Sequence, residues 1–236
     1  MRFPHTAPKR RGVNSFQIGV SFLFSQIAAG KTTSCSKENF SFPNLHGAQL
    51  LSITTSTLNG FKPQAGFLPE AALVAENGVQ ASLASNVNYI ERYVGVGGGG
   101  WSAGEMGADI RSALASQGYA VATTNAGYNH NMFATADTWL IKNPGNLDYP
   151  LIVNFGHRAL HDMTVISKHI ISEAYGSLPK FSYWQGCSTG GRQGLTIAQR
   201  YPEDYDGLLT SCPAANFSSL LVAMYWPQFI MNQKGI

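Results

Sequence analysis

The chain has 236 residues, of which 44% are hydrophobic, 11% aromatic and only 12% charged. That length and apolar content suit one domain with a sizeable core, and they exclude a disordered tail, which needs low hydrophobicity and high net charge. The formal charge of +3 does not describe the body of the chain: Arg2, Lys9, Arg10 and Arg11 lie in the first thirty residues, which hold no acid. The remainder carries 12 basic against 13 acidic side chains. No basic stripe is left for nucleic acid, and no apolar run reaches the ~20 residues of a membrane span.

The basic start runs into the apolar stretch Phe16–Ala29 and ends at Gly30. This order describes a secretory leader over residues 1–30, with cleavage near Gly30. The mature chain, 31–236, is then expected to be extracellular, with no membrane attachment after cleavage. Two acceptor triplets, Asn39-Phe40-Ser41 and Asn216-Phe217-Ser218, mark Asn39 and Asn216 as glycosylation candidates. The cysteines are Cys35, Cys187 and Cys212. An odd number in a secreted chain implies a free thiol, a bond to another chain, or missing sequence.

Residues 31–85 read as short strands and loops. From there strands and helices alternate. Val87–Val94 is a β-rich run that ends in the glycines Gly95–Gly100. Met106–Gln117 has helical spacing closed by Gly118, and Tyr119–Thr124 reads as a buried strand. Leu160, Met163, Ile166, Ile170, Ile171 and Ala174 recur at three and four residues, and Gly176 closes that helix. Lys180–Gln185 is a short strand, Arg192–Arg200 a helix and Asp206–Ser211 another strand. Strands separated by helices imply βαβ units and a mostly parallel sheet, so the fold class is α/β.

Between the last strand-helix pair lies Gly186-Cys187-Ser188-Thr189-Gly190. G-x-S-x-G at a strand-to-helix turn is the context of a nucleophile elbow. The flanking glycines allow a sharp turn that exposes the serine oxygen. The helix start behind it offers backbone N–H groups and a positive dipole end to an oxyanion. The bland alternative is a Gly/Ser turn that caps a helix. The run Gly97, Gly98, Gly99, Gly100 is read as the other half of the oxyanion hole. Gly95, Gly97 and Gly100 also satisfy G-x-G-x-x-G, but the second strand ends at Thr124-Asn125-Ala126 with no acid to hold a ribose. His157 and His161, four apart beside Asp162, have the spacing of metal ligands, yet no third ligand accompanies them and packing is the preferred reading. All six histidines precede Ser188, whereas a hydrolase of this topology places its histidine last.

At Gly186-Cys187-Ser188-Thr189-Gly190-Gly191-Arg192-Gln193-Gly194 the sequence resembles the tannase and feruloyl esterase family. Arg158–His161, Ala198–Pro202, Asp206-Gly207, Pro213–Phe217, Gly97–Trp101 and Asp137–Trp139 extend the likeness over about residues 35–230. The resemblance implies an α/β-hydrolase fold and a secreted ester hydrolase acting on phenolic esters, either small molecules or groups linked to polysaccharide. It implies Ser188 as nucleophile, with Thr189 and the Gly97–Gly100 loop holding the oxyanion, and no cofactor for catalysis. It further implies a disulfide from Cys187 to a cysteine beside the catalytic histidine. That cysteine, the histidine, the acid and a lid domain with a structural calcium belong to sequence this chain does not contain. Truncation would explain both the odd cysteine and the missing histidine, and the 236 residues alone are expected to be inactive. Gly127-Tyr128 and Cys212 depart from the family pattern, and with the family partner absent Cys212 is open to pairing with Cys187 instead. A second reading from another class is a hydrolase-like binding domain without catalysis.

Overall fold

The computed structural model describes residues 16–25, 41, 43, 48–58, 78–83, 89–104, 108–128 and 135–236. Seven strands form one sheet: β1 (Phe16–Ser25), β2 (Ala48–Leu58), β3 (Gly78–Leu83), β4 (Arg92–Val96), β5 (Ala120–Thr124), and two more strands introduced below. Between β4 and β5 runs α1 (Ala108–Ser116). After β5 come α2 (Asp137–Leu140), the small hairpin β6 (Ile141–Asn143) and β7 (Asn146–Leu147), α3 (Tyr149–Val153), a π-helical turn over 154–158 and α4 (Ala159–Tyr175). The chain then alternates β8 (Phe181–Cys187), α5 (Thr189–Arg200), β9 (Gly207–Ser211) and α6 (Phe217–Lys234).

The order across the main sheet is β2-β1-β3-β5-β4-β8-β9. Every neighbouring pair is parallel except β3 with β5. This is the α/β-hydrolase-like architecture expected of the sequence, a parallel sheet flanked by helices. The segment read as the apolar stretch of a leader is β1, paired with both β2 and β3. Cys35, Asn39 and His130 lie outside the described residues.

The centre of the sheet is apolar because both faces are covered. β5 is buried throughout, and Tyr93, Val94 and Val96 of β4 are buried beside it. The periodic face of α4 does what its spacing predicts: Leu160, Met163, Ile166, Ile170 and Ile171 are all buried, and Gly176 caps the helix in a left-handed conformation. Several boundaries differ from the sequence reading: β5 and β9 each start one residue later, and β8 runs from Phe181 to Cys187. β4 starts at Arg92, and α5 starts at Thr189, three residues earlier than expected. Gly190 and Gly191 are poor helix formers, but tertiary contact overrides propensity here. A Cβ on Gly191 would lie 2.4 Å from Ser211 O, so only a glycine lets the helix pass so close to β9.

β4, β8 and β9 are adjacent and parallel, with Val96 opposite Gln185 and Cys187 opposite Ser211. Their carboxyl ends therefore share one edge, the place where open α/β sheets bind ligands. From that edge emerge the glycine run after β4, Ser188 after β8 and Cys212-Pro213 after β9.

Candidate active site

Ser188 sits between the last residue of β8 and the first of α5, with φ 59° and ψ −116°. This is a conformation that non-glycine residues rarely adopt, and it persists only where the surroundings hold it. Three backbone bonds do so. Ser188 N–H donates to Ser211 O at 3.2 Å, while Ser188 O accepts from Arg192 N–H at 3.0 Å and Ala214 N–H at 3.0 Å. The turn also needs Gly186, since a Cβ there would lie 2.4 Å from the Gly190 carbonyl carbon. The result is an exposed serine whose hydroxyl has no protein partner among the described residues.

The glycine loop wraps the start of α5. Gly190 N–H donates to Gly98 O at 2.9 Å, and the Thr189 hydroxyl donates to Gly100 O at 2.6 Å. Of the expected oxyanion donors, Gly97 and Gly98 are already committed: Gly97 N–H donates to Gln185 O at 3.0 Å and Gly98 N–H to Gln193 Oε1 at 3.0 Å. An N–H that bonds inward cannot also face a substrate, so these two are corrected out of the donor set. The N–H groups of Gly99, Gly100 and Thr189 have no protein partner among the described residues. Gly99 and Gly100 belong to a turn closed by Ser102 N–H to Gly99 O at 2.9 Å.

The disulfide differs from the one the resemblance implies. Cys187 is bonded to Cys212 within this chain, with Cα atoms 5.4 Å apart. The cause is register: Cys187 pairs with Ser211 across β8 and β9, which brings the next residue within bridging reach. Asn216 is exposed, at φ 50°, immediately before α6.

His157 and His161 do not approach Ser188. His157 Nδ1 bonds Tyr201 Oη at 2.7 Å, beyond the far end of α5. His161 Nδ1 meets Asp204 Oδ2 at 2.9 Å, and its ring stacks on Tyr201 at 4.4 Å. The hydrogen bond to Asp204 raises the His161 pKa, whereas burial lowers that of His157. Among the described residues no group of three or more His, Cys, Asp or Glu is placed to hold a metal ion.

An aromatic cluster flanks the elbow. Trp101 packs 5.3 Å from Phe217 and 5.8 Å from Phe155, and the Arg192 guanidinium lies over both phenyl rings, at 5.2 and 4.6 Å respectively. Burial lowers the Arg192 pKa, and its Nε has no partner among the described residues. Tyr128, a departure from the family pattern, stacks on Trp139 at 4.3 Å and donates its hydroxyl to Trp101 O at 2.9 Å. The sequence reading missed Gln193, which is fully buried and bonded at both ends of its amide. Its signal was the four-residue spacing from Thr189, which puts both on one helix face.

Comparison with known proteins agrees with this geometry. Residues 75–234 match the family model described as tannase and feruloyl esterase. The chain is 38% identical over 145 residues to a probable feruloyl esterase of Arthroderma benhamiae, covering 61% of this chain and 27% of that protein. It is 34% identical over 149 residues to feruloyl esterase B of Aspergillus niger, covering 63% and 26%. Among solved structures, tannin acyl hydrolase from Aspergillus niger superposes with a TM-score of 0.54 at 27% identity, over 59% of this chain and 26% of that one. The matched region thus spans about a quarter of the length of these curated relatives. No helix among the described residues is long and apolar enough to cross a membrane. With an elbow serine at the carboxyl edge of a parallel sheet and a family match over residues 75–234, the chain belongs to the tannase and feruloyl esterase family.

Proposed function

We propose that the chain carries the nucleophile and oxyanion half of a serine ester hydrolase acting on phenolic acid esters. The observation that carries this reading is Ser188 itself, exposed at φ 59° with uncommitted N–H groups at Thr189, Gly99 and Gly100. In the proposed reaction Ser188 Oγ attacks the ester carbonyl, and the developing oxyanion is held by Thr189 N–H and the Gly99–Gly100 turn. The alcohol leaves with the serine proton, and water then releases the phenolic acid. The steps balance without a cofactor. The base is a histidine from the larger part of the family fold, of which the match covers about a quarter. Feruloyl groups on plant polysaccharide and galloyl groups of tannins are the proposed substrates, from the names of the relatives. Action outside the cell is supported by the Cys187–Cys212 bond, since disulfides persist in oxidising compartments.

One observation favours the second reading, a hydrolase-like binding domain: the Ser188 hydroxyl has no proton acceptor among the described residues. Labelling with a fluorophosphonate separates the two. With the histidine-bearing part of the family fold present, intact mass should show a single adduct on the parent protein and none on Ser188→Ala. Equal labelling of both, or of neither, would remove the esterase reading and leave the binding domain.

A further inference from the structure

We propose that Gln193 and the Thr189 hydroxyl are positioning residues that set which backbone donors of the glycine loop face the substrate. The inference rests on the esterase reading and assigns residues that the motif alone does not. Four consecutive glycines have no side chains to define their path and lose more conformational entropy on ordering than any other residues. The loop from Gly97 to Ala103 must therefore be held from outside, and four of its bonds come from the first turns of α5, beside one from Gln185 O and one from the Tyr128 hydroxyl.

Thr189 and Gln193 stand four residues apart, on the helix face turned toward the loop. Gln193 spans the loop's two ends. Its Oε1 accepts Gly98 N–H at 3.0 Å, and its Nε2 donates to Ala103 O at 2.8 Å. Only an amide of this length both accepts and donates there: a carboxylate lacks the donor, an ammonium the acceptor and a thioether both. Between the two ends, Thr189 Oγ1 takes Gly100 O at 2.6 Å, and Gly190 N–H takes Gly98 O at 2.9 Å. Both side chains are buried, Gln193 at 0% and Thr189 at 1% exposure. With Gly98 N–H drawn inward by Gln193 and Gly100 O drawn inward by Thr189, the Gly99 and Gly100 N–H groups are the ones not bonded to protein. Because Ser188 directly precedes the same helix, α5 fixes the nucleophile and the oxyanion donors relative to one another.

The test uses Thr189→Val, which keeps the shape and the backbone N–H but removes the hydroxyl, against Thr189→Ser, which keeps the hydroxyl. Gln193→Met is the companion at the other position. Two measurements are made: amide hydrogen exchange over residues 97–103 of the 236-residue chain, with 160–171 of α4 as internal reference, and the rate of fluorophosphonate labelling of the same variants in the protein that includes the histidine-bearing part of the family fold. In labelling, the Ser188 Oγ–P bond forms, P–F breaks, fluoride leaves and the serine proton goes to solvent. Losing an oxyanion donor costs about 10²–10³-fold elsewhere, so a loosened loop should slow labelling at least ~10-fold. Thr189→Val should also exchange faster over 97–103 with α4 unchanged, and Thr189→Ser should stay within about twofold of the parent on both counts. Parent-like exchange and labelling in Thr189→Val, or a Thr189→Ser that falls with it, overturns the proposal whether or not Gln193→Met folds. If no protein labels while exchange behaves as stated, the loop is held as described and it is the esterase reading that fails.

Discussion

Alanine at Gly97 puts a methyl group where the structure has no space. The added Cβ would lie 2.6 Å from Gly190 Cα, 2.7 Å from Gln193 Oε1 and 2.8 Å from Trp184 Cζ2. Ordinary contact begins at 3.4 Å, so the end of β4 and the first turn of α5 must part by about 0.8 Å. Trp184 cannot yield, because it is 1% exposed and its Nε1 donates to Gly190 O at 3.0 Å. The separation would stretch Gly190 N–H to Gly98 O and Gly98 N–H to Gln193 Oε1 beyond bonding distance. Overpacking costs ~1–3 kcal/mol, and each buried hydrogen bond lost adds about 1 kcal/mol, so Gly97→Ala should lose roughly 3–5 kcal/mol. Gly156 supplies the control, for nothing lies within 4 Å of a Cβ built there and it sits in the π-helical turn. Gly156→Ala should be neutral or stabilising by up to ~1 kcal/mol. Urea denaturation followed by tryptophan fluorescence reads both. A Gly97→Ala variant within about 1 kcal/mol of the parent would refute the close packing of the loop on α5.

Three further outcomes are expected. His161 has its pKa raised in the folded state, so the stability it contributes is present below its unfolded value of about 6.5 and is lost as pH rises through the folded value. His157 has its pKa lowered, so it makes stability rise with pH up to about 6.5; thermal unfolding across pH should show Asp204→Asn flattening the upper limb and His157→Gln the lower one. Cys212→Ser opens a bond that closes a separation of 25 residues and should cost about 3.5 kcal/mol by loop entropy; the peptide map must also lose the 187–212 linkage. Tyr128→Phe keeps the stack on Trp139 but loses the bond to Trp101 O, and denaturation should register about 1 kcal/mol.

Much of this was legible where local pattern and tertiary need coincide. The α4 spacing marks its buried face because one side of that helix meets the sheet. Gly186, Ser188 and Gly190 mark the elbow because close approach at a strand-to-helix turn admits few other residues. Legibility fails where a segment's role depends on a distant partner. The start of α5 was set late because glycine propensity argues against helix until β9 and the loop are in place. The run Phe16–Ser25 forms β1, and its pairing with β2 and β3 was not announced by its composition. No sequence rule says which N–H of a glycine run is already bonded, so Gly97 and Gly98 could not be told from Gly99 and Gly100. The Cys187–Cys212 bond was open from the sequence as an alternative to the family pairing, and the β8–β9 register shows why it is within reach. α6 has no periodic apolar face to announce it, and none of its residues is buried.

The backbone at Ser188 is the strongest physical reason to prefer catalysis over a bland turn. A non-glycine residue at such a φ costs about 1–3 kcal/mol, and glycine there would remove most of it. The strain is held by bonds from Ser211 at the end of β9, Ala214 in the loop that follows it and Arg192 in the first turn of α5, with a disulfide one residue upstream. None of these contacts uses the serine hydroxyl, which the arrangement leaves exposed. A turn built only to join β8 to α5 gains nothing from a strained serine, since a glycine would make the same three backbone bonds. An exposed nucleophile beside unbonded N–H groups gains its whole geometry from it. The asymmetry between what the backbone spends and what the hydroxyl receives is therefore the feature that points to chemistry at this edge of the sheet.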